Sequence, residues 1–242
     1  MNPAGILPVV PPSLPKIAHQ LLARISKEPL AGEIVIGGGI ALKHYVDYRP
    51  TQDIAAWWRA ERNSEAFDQI VASVSDVASQ NALGVVYRHF GTTDSLELKD
   101  LLTGQKVFSF QIAVRDIGID SAQTSSWPPI QLETLRDNIG SKMNALVNRG
   151  APRDFVDIFE IVHRGLATRT DCWMLWQTKN PAGSLSQAQI DVIASLERIA
   201  QRRLLESLVE AEREPADKLR AWFGDEFCKE ISDTQSDDEV GR

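Results

Sequence analysis

Cysteine is almost missing from this 242-residue chain: Cys172 and Cys228 are the only two, far apart in sequence. Two isolated thiols build no disulfide framework and suit a reducing compartment, so a cytoplasmic protein is expected. With no Cys/His cluster at ligand spacing, a zinc site is not expected. No run of about 18 apolar residues occurs, which argues against a spanning helix and against a membrane partner. The first fifteen residues, MNPAGILPVVPPSLP, lack a basic n-region and a small-residue cleavage site, and their five prolines break any helical core, so no secretory leader is expected there. There is no internal repeat.

Positive charge is also in deficit, with a formal net charge of −7. That argues against a protein that coats nucleic acid by charge alone. Part of the acid sits in Asp233, Asp237, Asp238 and Glu239, which with Arg242 form a polar tail expected to be disordered (233–242). Residues 136–169 are locally basic, so an electropositive cleft stays open as a reading. Hydrophobic content of 43% and charged content of 24% are ordinary for a globular chain that forms one large domain or two small ones.

What is present centres on residues 33–58, EIVIGGGIALKHYVDYRPTQDIAAWW. Ile34, Val35 and Ile36 predict a short buried strand, Gly37-Gly38-Gly39 a turn, and residues 40–46 a helix. After a polar connection (47–52), a second apolar run carries Asp53 and ends in Trp57-Trp58. Such a turn offers N–H donors to phosphate oxygens, and Asp53 offers a hard oxygen ligand to Mg2+. A strand-to-helix turn packed tightly against a sheet also needs glycine with no ligand at all, and three glycines alone do not choose between the two.

Upstream, Leu14, Ile17, Ala18, Leu21, Leu22 and Ile25 recur at helical spacing and predict a helix ending near Lys27. Asn63 or Ser64 caps a helix running to about Gln80. Segments 84–90, 95–101 and 106–114, separated by tight turns, predict an antiparallel meander. On the last of these Phe108, Phe110, Ile112 and Val114 share one face, and Val107, Ser109, Gln111 and Ala113 the other. After Trp127-Pro128-Pro129 only helices are expected, over 132–148, 152–164, 171–178, 186–212 and 215–231. The expected class is α+β: a small mixed sheet with flanking helices (1–120), then a helical bundle (121–232), with the boundary near 115–130.

A second constellation lies in KMNALVNRGAPRDFVDIFEI. Lys142 and Arg149 project from one side of a helix two turns apart, and Asp154 and Asp157 share a face of the next. By spacing alone this is a surface ion-pair network joining two helices. Glycine turn, Asp-bearing strand and, about ninety residues on, K-x-x-A-L-x-x-R-G-x-x-R-D-x-x-D together resemble the AbiEii/AbiGii-type nucleotidyltransferases, the toxin half of bacterial toxin–antitoxin and phage-defence systems. The resembling residues are Gly37, Gly38, Ala41, Leu42, Tyr48, Arg49, Thr51, Asp53, Lys142, Ala145, Leu146, Arg149, Arg153, Asp154 and Asp157, within residues 30–165.

The resemblance implies a DNA polymerase β-like nucleotidyltransferase core with helices attached, and a Mg2+-dependent transfer from a nucleoside triphosphate to an RNA (tRNA-like) or protein acceptor. It also implies a cognate antitoxin. By the same resemblance Gly37, Gly38 and Gly39 cradle the triphosphate, with Arg49 and Thr51 beside them, and Asp53 holds the metal. Lys142 neutralises phosphate charge with Arg149 and Arg153 as helpers, while Asp154 or Asp157 orients those cations or the attacking hydroxyl. The chemistry implied is in-line displacement at the α-phosphorus.

The chain departs from that pattern in its acids. The family's strand reads Asp-x-Asp, and here it reads Asp53-Ile54-Ala55. Residues 53 and 55 share a strand face, and Ala55 supplies no ligand. A third acid is missing from 106–114, with Glu97 and Asp116 nearby. Three explanations stand: an engineered substitution that silences a toxic enzyme, a natural pseudoenzyme that binds a nucleotide or partner without turnover, or replacement by Glu97 or Asp116. A helical adaptor with no nucleotide binding is the remaining alternative. His44 is expected to be a half-buried packing residue, His89 and His163 structural, the latter near a helix C-terminus where a cation is favoured, and Trp57, Trp58, Trp173 and Trp176 core or domain-interface residues.

Overall fold

In the structure, a computed structural model, residues 3–115 and 117–229 are described. The described residues divide into two compact units, 3–141 and 142–229, and the division falls inside a helix. The sequence pattern puts a boundary at 115–130; the fold instead keeps the segment up to Ser141 with the sheet.

The first unit begins with α1 (Lys16–Ile25), whose Ala18, Leu21, Leu22 and Ile25 are buried. Strand β1 (Ile34–Gly37) runs into α2 (Gly38–Lys43), followed by β2 (Asp53–Trp58) and α3 (Ser64–Gln80). The Asn63 side chain accepts from the Ala66 amide at 3.0 Å and caps α3, which fixes where that helix starts. Strands β3 (Leu83–Phe90), β4 (Thr93–Asp100) and β5 (Lys106–Ala113) form the expected antiparallel meander.

Two short strands, β6 (Gln123–Thr124) and β7 (Gln131–Leu132), complete a seven-stranded sheet in the order β3-β4-β5-β2-β1-β7-β6. The sequence pattern predicts only helices after Trp127, so β7 is a correction. It pairs in parallel with β1, and Leu132, which reads as the start of a helix, is instead buried in the sheet beside Ile130. β2 is antiparallel to β1 and parallel to β5. One face of the sheet, carrying Ile54, Ala56, Trp58, Leu96, Leu98, Phe108, Phe110 and Ile112, joins α1 and α3 in a single apolar core. Each large apolar side chain there contributes about 1.5–3 kcal/mol by leaving water.

The residues expected to pack include His44, which is buried. Its Nδ1 lies 3.0 Å from the Ile40 carbonyl oxygen, and its ring meets Trp127 edge-on at 5.9 Å. α2 stops at Lys43 rather than Val46, where buried Lys43 pairs with Asp47.

Helix α4 (Leu135–Asn148) carries the chain from the first unit into the second, which continues with α5 (Pro152–His163), α6 (Arg169–Lys179), α7 (Leu185–Arg202) and α8 (Glu210–Trp222). Trp173 is buried and donates through Nε1 to the Phe227 carbonyl oxygen at 3.0 Å, while Phe155 meets Phe223 edge-on at 4.8 Å. The apolar spacing predicts a helix over 186–212, but α7 ends ten residues earlier. That spacing runs on through Leu204 and Leu208, yet the carbonyl oxygens freed by the break find donors: Arg220 serves Arg203 at 2.6 Å and Arg213 serves Leu205 at 3.1 Å. With the break there, α8 starts at Glu210, before Pro215 rather than at it. A cavity of about 360 Å³ lies among α5, α7 and α8, lined by Phe155, Leu196, Leu208, Ala216 and Leu219. The expected end of the last helix at Ile231, and the acidic tail 233–242, lie outside the described residues, as does Asp116.

Candidate functional site

Alternation along β2 sorts its side chains. Ile54, Ala56 and Trp58 enter the core, and Asp53, Ala55 and Trp57 stand half-buried on the opposite face. Cross-strand register sets Ser109 beside Asp53 and Gln111 beside Ala55 on β5, with Glu97 on β4 beyond Ser109. The position next to Asp53 on its own strand face, where a second metal-binding acid would stand, holds alanine.

The glycine turn lies alongside. Gly37 opposes Ala55 in the β1–β2 ladder. A β-carbon on Gly37 would collide with the Trp57 indole nitrogen and come 2.8 Å from Glu133 Oε2. Gly38 adopts φ +61°, and a β-carbon there would lie 2.8 Å from that of Ala55. Packing alone demands glycine at both positions. A β-carbon on Gly39 would meet Thr51 Oγ1 at 3.0 Å and Arg49 Nη2 at 3.8 Å, so Gly39, Arg49 and Thr51 are gathered at one spot. Thr51 is buried and donates to Asp53 Oδ1 at 3.0 Å. The fold thus brings together Gly37, Gly38, Gly39, Arg49, Thr51 and Asp53.

Glu133, which no sequence motif flagged, sits buried beneath this turn. Its Oε1 accepts from Arg115 at 2.5 Å and from Ser141 at 3.1 Å, and its Oε2 accepts from Asn138 at 2.9 Å. Trp57 Nε1, Ser109 Oγ and Asn138 Oδ1 are buried polar atoms with no hydrogen-bond partner. The only cue in the sequence is an acid directly after the apolar Ile130 and Leu132, which does not say what it will meet.

In the second unit the charged residues pair as their spacing predicts. Lys142 Nζ lies 2.6 Å from Asp157 Oδ2, both buried. Arg149 grips Asp154 with two bonds, at 2.9 and 2.5 Å, and Asp154 Oδ2 also accepts from the Ala151 amide at 3.0 Å, capping α5. The expected surface network is therefore buried at its Lys142–Asp157 end. Such a pair resists loss of either member, because the survivor would lose a charged partner inside the protein. Arg149 and Arg153 are exposed.

Mg2+ is a hard cation commonly held by one or two carboxylates together with substrate phosphates. Around Asp53, Gln111, Ser109 and Ala55 offer one weakly coordinating amide, one hydroxyl and one methyl. Glu97 is two strands away, about 10 Å by strand spacing, and its carboxylate is already engaged by Arg88 at 3.2 Å and Lys99 at 3.6 Å. Among the described residues, no group of three or more His, Cys, Asp or Glu is placed to hold a metal. The residues present do not fit a two-carboxylate metal site.

A family model sets the class: a nucleotidyltransferase of the toxin–antitoxin type. Residues 20–216 match the nucleotidyl transferase AbiEii toxin family of type IV toxin–antitoxin systems, and the chain belongs to that family. Among solved structures it is similar to MenT4, a nucleotidyltransferase toxin from Mycobacterium tuberculosis H37Rv, at 12% identity over 86% of this chain and 82% of that one, with a TM-score of 0.41. No curated protein matches the chain. No described helix is long and apolar enough to cross a membrane.

Proposed function

We propose that this chain has the architecture of a Mg2+-dependent toxin that moves a nucleotide from a nucleoside triphosphate to an RNA (tRNA-like) or protein acceptor, and that Ala55 impairs the transfer. A cognate antitoxin is the protein partner this reading implies, and the cytoplasm its location. The observation that carries the reading is the pairing of Asp53 with a second acid position filled by alanine. Asp53 and Ala55 share one half-buried strand face against the glycine turn, with Thr51 orienting Asp53. The triphosphate contacts are assigned to Gly37, Gly38, Gly39, Arg49 and Thr51. Lys142, with Arg149 and Arg153, is assigned to phosphate charge, and Asp154 and Asp157 to orienting those cations, in keeping with their ion pairs. No metal-dependent step is assigned to the chain as it stands.

A second reading, a nucleotide- or partner-binding pseudoenzyme, is favoured by Ser109 and Gln111, which leave the neighbouring strand without an acid as well. One experiment separates the two. Ala55→Asp is incubated with Mg2+, each labelled NTP and a mixture of total RNA and protein. Labelled RNA or protein supports the enzyme, and no transfer despite NTP binding by calorimetry supports the pseudoenzyme. Absence of both NTP binding and transfer overturns the enzyme and the nucleotide-binding pseudoenzyme.

A further inference from the structure

The glycine turn is restrained by a side chain that belongs to none of the motifs above. Asn138 on α4 has no exposed surface, and its Nδ2 donates to the Gly38 carbonyl oxygen at 3.1 Å and to Glu133 Oε2 at 2.9 Å. Both partners only accept, so a flipped amide would press Oδ1 against two oxygens; the orientation is fixed by its surroundings. Glu133 is in turn immobilised by Arg115 and Ser141, and its own amide donates to the Ile36 carbonyl oxygen at 2.9 Å. A chain of hydrogen bonds thus runs from Arg115 through Glu133 and Asn138 to the backbone of the turn.

In a trans peptide the carbonyl and the following N–H point in opposite directions. Committing the Gly38 oxygen to Asn138 therefore commits the Gly39 N–H to the other side. We propose that Asn138, oriented by Glu133, is a positioning residue that fixes the Gly38–Gly39 peptide so that a nucleotide meets an N–H and not a carbonyl oxygen. A phosphate beside that oxygen would be repelled. At φ +61° Gly38 holds a conformation that glycine adopts without strain at the start of α2, and Asn138 restrains that peptide further from a different helix. This inference rests on the assignment of the turn to the nucleotide.

The test uses the chain with Asn138→Ala, Asn138→Asp and, as control, Asn81→Ala, which removes an asparagine that donates only to the Val77 carbonyl oxygen at the end of α3, outside this network. In ¹⁵N-labelled protein the Gly39 amide signal is expected to shift and to exchange faster in both Asn138 variants and to stay put in Asn81→Ala. The dissociation constants for ATP, GTP, CTP and UTP, measured by calorimetry, are expected to rise about tenfold for whichever NTP the parent binds, the size of one lost hydrogen bond. Asn138→Ser carries the same test should the alanine variant fail to fold. An unmoved Gly39 signal, or unchanged NTP affinity in a parent that binds, overturns the positioning role alone. A parent that binds none of the four NTPs overturns the nucleotide assignment, and the positioning role with it.

Discussion

Gly38, the residue just past the β1–β2 ladder, lies so close to Ala55 that a β-carbon on the glycine would come 2.8 Å from that of the alanine. Position 38 therefore accepts no side chain, and its φ of +61° adds a conformational cost for any other residue. Gly38→Ala is expected to lose about 1–3 kcal/mol of stability from backbone strain before the contact is counted. Urea unfolding followed by circular dichroism measures this, and an unchanged midpoint would contradict the geometry.

Lys142 and Asp157 form a buried pair at 2.6 Å. Lys142→Met should destabilise the protein by about 1–3 kcal/mol, because the buried Asp157 carboxylate would lose its lysine partner. The double variant Lys142→Met/Asp157→Leu should recover most of that loss while leaving NTP binding weak. Recovery of stability together with full NTP binding would separate Lys142 from any phosphate role.

Asp94 predicts an acid limb. Its carboxylate is buried and accepts from Arg62 at 2.7 Å, from Tyr87 at 2.7 Å and from His89 Nδ1 at 2.9 Å. Burial pushes its pKa up, and the three donors outweigh burial, so the carboxyl titrates below its ordinary value in the fold. The unfolded chain then binds the proton more readily than the folded one. The resulting stabilisation is complete above the unfolded value of about 3.9 and is lost as pH falls through the lower folded value. Asp94→Asn should flatten the melting temperature against pH below about 4 and cost about 1–3 kcal/mol at neutral pH. A curve parallel to that of the parent would remove Asp94 as the cause.

Ala216 lines the 360 Å³ cavity among α5, α7 and α8. Ala216→Leu should fill part of it and raise stability by about 0.5–2 kcal/mol, as cavity-filling changes commonly do. Calorimetry reads the shift directly, and a lowered melting temperature would mean that the space is occupied or collapses in solution.

Much of this arrangement was legible in the sequence. Period-two alternation puts Asp53 and Ala55 on one face of β2, and turn residues delimit the three-strand meander. Pro152 and Gly150 bracket the joint between α4 and α5, and the spacing of Lys142, Arg149, Asp154 and Asp157 foretells their pairing. What stayed hidden has a common cause. β7 has two residues, too few for any period, and its apolar neighbours fit a helical pattern equally well. The break after Arg202 depends on Arg213 and Arg220, which reach back to satisfy carbonyls from a later turn. Glu133 and Asn138 matter only because a parallel pairing of β7 with β1 brings them under Gly37 and Gly38, and local sequence carries no record of that approach.

The parallel pairing of β2 with β5 has a consequence for how errors in folding would present themselves. Sliding β2 by a single residue would turn Asp53 into the oily interior and push Ile54 and Trp58 out into water, so a misaligned chain would be expelled energetically before it could ever display a wrongly oriented acid. The tryptophan and isoleucine on the core side of the strand act as proofreaders of its phase on behalf of the carboxylate on the other.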